Sequence, residues 1–96
     1  MRKYEALLIL KQELDEDRLK AVTDEVTAIV AREGGTVTKV DLWGQRRLEY
    51  QIEHEDTGHY TVINFVSDAG AVKELERVMR IKDDVLRIKT FVLGEA

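Results

Sequence analysis

The sequence contains no cysteine and no proline, only two histidines, and few aromatic residues: one tryptophan, three tyrosines and two phenylalanines. Without cysteine, disulfides, thiolate nucleophiles and Cys-ligated metals are excluded, as fits a reducing cytosol. Without proline, its turns fall to glycine and to Asp/Asn chemistry. No apolar run approaches the roughly 20 residues of a membrane-spanning helix. Met1-Arg2-Lys3-Tyr4 leads straight into a strand-like run, not a small-residue cleavage site. These features predict a soluble, cytoplasmic protein. Its 96 residues suit a single domain with one hydrophobic core.

Charge is plentiful: 35% of residues are charged, with a net value of −4. A mildly acidic chain lacks the overall basic field of a free-standing nucleic-acid binder. The charges are segregated, however. Acidic residues gather at Glu13 to Asp17 and at Glu53, Glu55 and Asp56; basic ones gather at Arg2-Lys3, Arg46-Arg47, Arg80 with Lys82, and Arg87 with Lys89. A local phosphate-facing patch on an acidic body is compatible with this pattern.

Tyr4 to Leu10 reads as a strand apolar on both faces, hence central. Asp15 suits a helix N-cap, with Glu16 and Asp17 at the positive end of the dipole. Leu19, Val22, Val26, Ile29 and Val30 recur at helical spacing until Gly34-Gly35. A second strand runs from Thr36 to Leu42, breaks at Gly44, where a bulge is expected, and resumes through Leu48, Tyr50 and Ile52. Its apolar parity shifts between Val37 and Val40. His54 to Gly58 reads as a hairpin loop and His59 to Val66 as a third strand. Ser67 or Asp68 caps a second helix with the stripe Val72, Leu75, Val78 and Met79; Val85 to Leu93 is the last strand.

The order β-α-β-β-α-β predicts an α+β, ferredoxin-like sandwich: a four-stranded antiparallel sheet with two helices on one face, strands one and three central. The helix-covered face takes Leu8, Leu10, Ile63, Phe65 and Ile88. The other carries Leu7, Ile9, Tyr60, Val62 and Phe91, an apolar surface that either marks a partner site or lies under neighbouring side chains such as Arg87 and Lys89.

Catalytic and metal chemistry find little support. His54 and His59 have no further nitrogen or sulfur ligand beside them. Asp83-Asp84 sits in a helix-to-strand turn, where aspartate is favoured for local reasons. Gly34-Gly35-Thr36 lacks the spaced glycines and lysine of a phosphate loop. No cofactor is implied, and no enzyme. RNA-recognition motifs share the topology, but His59-Tyr60-Thr61-Val62-Ile63-Asn64-Phe65 lacks their basic-Gly-aromatic run, so base stacking of that kind is not expected. Arg46-Arg47 beside Trp43 reads equally as phosphate-binding arginines with an aromatic neighbour or as a solvated strand surface.

Taken together, Met1-Arg2-Lys3-Tyr4-Glu5, Trp43-Gly44-Gln45-Arg46-Arg47-Leu48-Glu49-Tyr50-Gln51-Ile52, Gly58-His59-Tyr60 and Met79-Arg80-Ile81-Lys82-Asp83-Asp84-Val85-Leu86-Arg87 resemble the bacterial small-subunit ribosomal protein six family over almost the whole chain. That resemblance implies a structural ribosomal protein. It would bind the central domain of small-subunit ribosomal RNA as a heterodimer with the small, basic small-subunit ribosomal protein eighteen, whose charge complements an acidic protein. The chain departs from the family pattern at Glu49, Gln51 and His54, and Glu49 weakens the positive field beside Arg46-Arg47. The expected RNA or partner contacts are Arg2, Lys3, Trp43, Arg46, Arg47, Arg80, Lys82, Arg87 and Lys89. No membrane and no small-molecule substrate is expected. The alternative is a small-ligand regulatory module of the same fold that homodimerises through its sheet.

Overall fold

A computed structural model describes all of residues 1–96. The elements are β1 (Arg2–Lys11), α1 (Glu16–Arg32), β2 (Thr36–Ile52), β3 (Glu55–Ser67), α2 (Ala69–Arg80) and β4 (Val85–Glu95). They form one four-stranded sheet in the order β2-β3-β1-β4, antiparallel throughout. This is the ferredoxin-like α+β arrangement expected from the sequence, with β1 and β3 central. No helix is long and apolar enough to cross a membrane.

Strand periodicity decides the core. Tyr4, Ala6, Leu8 and Leu10 of β1 and Ile63 and Phe65 of β3 alternate onto the helix-covered face. There they bury against Val22, Val26, Ile29 and Val30 of α1 and Leu75 and Met79 of α2. The rings of Tyr4 and Phe65 stack with centroids 5.5 Å apart. Each large side chain removed from water contributes about 1.5–3 kcal/mol, so this single layer holds the helices to the sheet. Asp15 caps α1 by accepting a hydrogen bond from the Arg18 amide at 2.9 Å. Asp68 occupies the N-cap position of α2, but its side chain accepts no capping bond.

β2 departs from a regular strand three times. A bulge at Thr38 separates Val37, opposite Phe65, from Lys39, opposite Asn64. It returns Val37 and Val40 to one face, which explains the parity shift in the sequence. A second bulge holds Trp43 and Gly44 opposite Tyr60, and Gly44 takes φ +85°, a left-handed conformation glycine adopts without a Cβ penalty. The third is the largest: between Arg47, opposite Thr57, and Ile52, opposite Glu55, four residues face a single one on β3.

The hairpin turn is also tighter than the predicted loop. Only Glu53 and His54 lie outside the strands, with φ +48° and +68°, the paired left-handed conformation of a two-residue hairpin turn. Glu55 to Gly58 therefore belong to β3. Glycine is required at 58 because a Cβ there would lie 2.7 Å from Ile9 Cγ2 and 3.0 Å from the Leu10 carbonyl oxygen.

Candidate nucleic-acid and partner interface

The sheet face away from the helices is built from alternate residues of all four strands. Its register aligns Lys89 with Leu7 and Val62, and Arg87 with Ile9, Tyr60 and Gly44. Lys3 of β1, Arg46 of β2 (opposite Gly58) and Lys39 (opposite Asn64) share this side.

Leu48–Gln51 leaves the β2 ladder and folds over this face as a strap, and the pairing resumes at Ile52 opposite Glu55. Leu48, Glu49 and Tyr50 of the strap and Ile52 just beyond it line one cavity with Leu7, Ile9, Tyr60, Arg87 and Lys89. Leu48 is 7% exposed although it lies on an edge strand. The phenol oxygen of Tyr50 accepts a hydrogen bond from Arg87 Nη1 at 2.8 Å, with the guanidinium 5.9 Å from the ring centre. In the register Arg87 stands three strand spacings from β2, about 14 Å, so this bond ties one sheet edge to the other. Ile9 and Val62 are consequently buried, while Phe91 remains 47% exposed. Leu48, Tyr50 and Ile52 thus share one side of β2, as expected, while the pairing with β3 is interrupted between Arg47 and Ile52. The alternation is real, but that stretch leaves the ladder and packs its apolar residues on the sheet.

Arg87 holds the pKa of the Tyr50 phenol below the usual tyrosine value, first through the hydrogen bond and then through its charge. Elsewhere on β2, Trp43 donates its indole N–H to Asp41 at 3.3 Å, and the Arg46 guanidinium lies 5.0 Å from the Trp43 ring centre. This cation–π arrangement fixes the guanidinium plane and leaves its edges free to donate. Trp43 is 44% exposed, so it is a platform on the surface and not a plug in the core edge.

The nine residues singled out in the sequence separate by pairing. Arg2 meets Glu95 at 3.3 Å, Arg80 meets Glu76 at 3.7 Å, and Lys82 meets Glu25 of α1 at 2.8 Å. Lys3, Arg46, Arg47, Arg87 and Lys89 form no ion pair. Arg46 and Arg47, though adjacent, point to opposite sides of the β2–β3 ribbon, because Arg46 opposes Gly58 and Arg47 opposes Thr57. They cannot act as one clamp. Sequence reasoning missed Tyr50, whose role depends on β4, and Lys39, whose only signal was the parity break beside it.

The remaining polar candidates have structural partners. Asp84 accepts a 2.6 Å bond from Arg18, tying the α2–β4 turn to α1 and holding the Arg18 guanidinium still higher in pKa, while Asp83 is exposed. His59 Nε2 lies 3.1 Å from the Gln12 carbonyl oxygen, and His54 sits in the turn. No three His, Asp or Glu side chains come together as a metal site would need.

Comparison with known proteins agrees with this geometry. The family described as Ribosomal protein S6 matches residues 3–91. The chain is 46% identical over 87 residues to small ribosomal subunit protein bS6 of Clostridium botulinum (strain Loch Maree / Type A3), covering 91% of this chain and 93% of that one. It is 41% identical over 87 residues to the bS6 of Heliobacterium modesticaldum, covering 91% of each. The crystal structure of 30S ribosomal protein S6 from Thermotoga maritima superposes with a TM-score of 0.87 at 30% identity, over 95% of this chain and 86% of that one. The C-terminal domain of the MgtC protein from Mycobacterium tuberculosis shares only the fold, at 13% identity and a TM-score of 0.53 over 96% of this chain and 87% of that one. The chain belongs to the ribosomal protein S6 family.

Proposed function

We propose that this protein, a non-catalytic constituent of the small ribosomal subunit in the cytoplasm, binds the central domain of small-subunit ribosomal RNA together with small-subunit ribosomal protein eighteen. Family membership supports the ribosomal role. The observation that carries the finer reading is the separation of the basic residues. An acidic protein keeps Lys3, Arg46, Arg87 and Lys89 without carboxylate partners on a single sheet face. Arg2, Arg80 and Lys82 spend their charge on internal pairs and serve the fold first. Phosphate contacts position a protein on RNA without reading sequence, and a stacked arginine such as Arg46 suits that role. A strongly basic partner would meet the acidic remainder of the surface, such as Glu53 and Asp56 at the hairpin end.

Co-sedimentation with small ribosomal subunits tests the assignment, and stoichiometric association is expected. With the basic partner present, Arg46→Ala lowers the salt slope of RNA binding by about 1, whereas Arg80→Ala leaves it unchanged. Equal slopes for the two variants would return Arg46 to the structural class. The small-ligand alternative draws on the cavity beneath the strap. At about 150 Å³ it has room for one small group but not for the drug-sized ligands that clefts of roughly 300–1,000 Å³ enclose, so its size alone does not separate the two readings. A purified homodimer that binds an amino acid and ignores ribosomal RNA would favour it.

A further inference from the structure

The cavity beneath the strap combines three features that the ribosomal role alone does not explain. Its floor is apolar, formed by Leu7 and Ile9, with Leu48 folded over it. Two aromatic rings line it, Tyr60 from β3 and Tyr50 from the strap. Its rim carries Arg87 and Lys89, which stand two residues apart on the same side of β4, about 7 Å. Neither is paired with a carboxylate. The only hydrogen-bond partner of the Arg87 side chain is the phenol oxygen of Tyr50; Glu49 of the strap also lines the cavity but forms no ion pair with either cation, so the two positive charges on the rim outnumber the one negative. At about 150 Å³ the space holds roughly five waters by their share of liquid volume, enough for one small planar group.

We propose that this cavity takes one unstacked nucleotide of RNA, with its base against the rings of Tyr50 and Tyr60 and its phosphate on Arg87 and Lys89. This rests on the RNA-binding reading above and names the place on the sheet face where a base, and not only the backbone, is held. Aromatic rings under an electrostatic rim are how proteins bind single-stranded nucleic acid without strict sequence preference. The arrangement differs from an RNA-recognition motif, whose stacking rings both sit on the central strands. Here one ring arrives on the strap, which is why the strand-three sequence gave no sign of it. Charge selects the occupant: an acidic peptide would satisfy Arg87 and Lys89 but not the paired rings, and a basic segment would be repelled by both cations.

The test is NMR of the methyl, aromatic and arginine and lysine side-chain signals of the protein, titrated with adenosine 5′-monophosphate, a short uridine oligonucleotide, or inorganic phosphate. Both nucleotide probes are expected to shift the Leu7 and Ile9 methyls and the Tyr50 and Tyr60 rings. Phosphate alone should move only the Arg87 and Lys89 signals. Tyr50→Ala should weaken oligonucleotide binding about 5- to 150-fold, the range for loss of one base–aromatic stack. Tyr50→Phe keeps the ring and frees Arg87, so it should bind as well as the parent or better. If the oligonucleotide leaves the Leu7 and Ile9 methyls unmoved, or Tyr50→Phe loses as much as Tyr50→Ala, the inference is overturned. Should the protein with its basic partner still bind ribosomal RNA in that case, only the cavity assignment falls. If the parent protein binds no ribosomal RNA under any condition, the underlying reading falls as well.

Discussion

The two faces of the sheet are made from the same four strands by the same alternation, yet they are closed in different ways. On one face, two helices bring complete apolar stripes, and Ala6, Leu8, Leu10 and Ile63 are fully buried. On the other, four residues of a bulged edge strand do the covering, held by Leu48 and by one bond between Tyr50 and Arg87. A face closed by long amphipathic elements buries its residues once for all. A face closed by a short strap keeps cations and rings at its margin and can be uncovered at small cost, the usual location of low local stability and of binding.

Substitutions sharpen the contrast. Leu8→Ala, at a fully buried position, is expected to lower unfolding free energy by about 2–5 kcal/mol, whereas Phe91→Ala on the open face should stay within about 0.5 kcal/mol; denaturant melts of the two decide it. Gly58→Ala should come next, at about 1–3 kcal/mol, because the new methyl meets Ile9 and the Leu10 carbonyl where β3 passes β1. A melt unchanged by Gly58→Ala would mean that the strands can part there. Leu48→Ala is expected to cost less than Leu8→Ala, about 1–2 kcal/mol, since the strap can settle into the space left. Hydrogen exchange should quicken in Leu48–Gln51 and not in the helices. If it quickens everywhere, the strap belongs to the core.

The smallest effect concerns pH. Arg87 holds the folded Tyr50 phenol below its unfolded pKa. The pH-dependent part of that contact therefore stabilises the fold above the unfolded value of about 10 and disappears as pH falls through the folded value. Arg87→Ala should raise the pH at which Tyr50 ionises, read from its ring carbons by NMR. An unmoved titration would show that the strap does not reach β4 in solution.

What could be read from the sequence was whatever short-range pattern controls. Helical spacing placed α1 and α2, Asp15 marked the first cap, glycine at 44 marked a bulge, and apolar character on both faces of Tyr4 to Leu10 made β1 central. The strap could not be read, because Leu48-x-Tyr50-x-Ile52 has the alternation of any strand. Its departure from the ladder depends on an uncovered apolar surface and on Arg87, 37 residues further along the chain. The same holds for the basic residues. Lys82 looked as available as Lys89 until the fold brought Glu25 beside it. Ion pairing between distant elements has no local signature, so of the paired cations only Arg80, four residues after Glu76 on α2, could have been sorted from the sequence.

The central place of β1 carries a consequence for how the molecule is made. β1 is made before the other three strands of the sheet, yet it is flanked by β3 and β4, and its Arg2 lies opposite Glu95 of β4. α1 and the β2–β3 hairpin can form as they emerge, but the sheet cannot close without β4. β1 waits, one edge unpaired, until β4 has been made, so a chain stalled before β4 exposes the most apolar strand of the sheet.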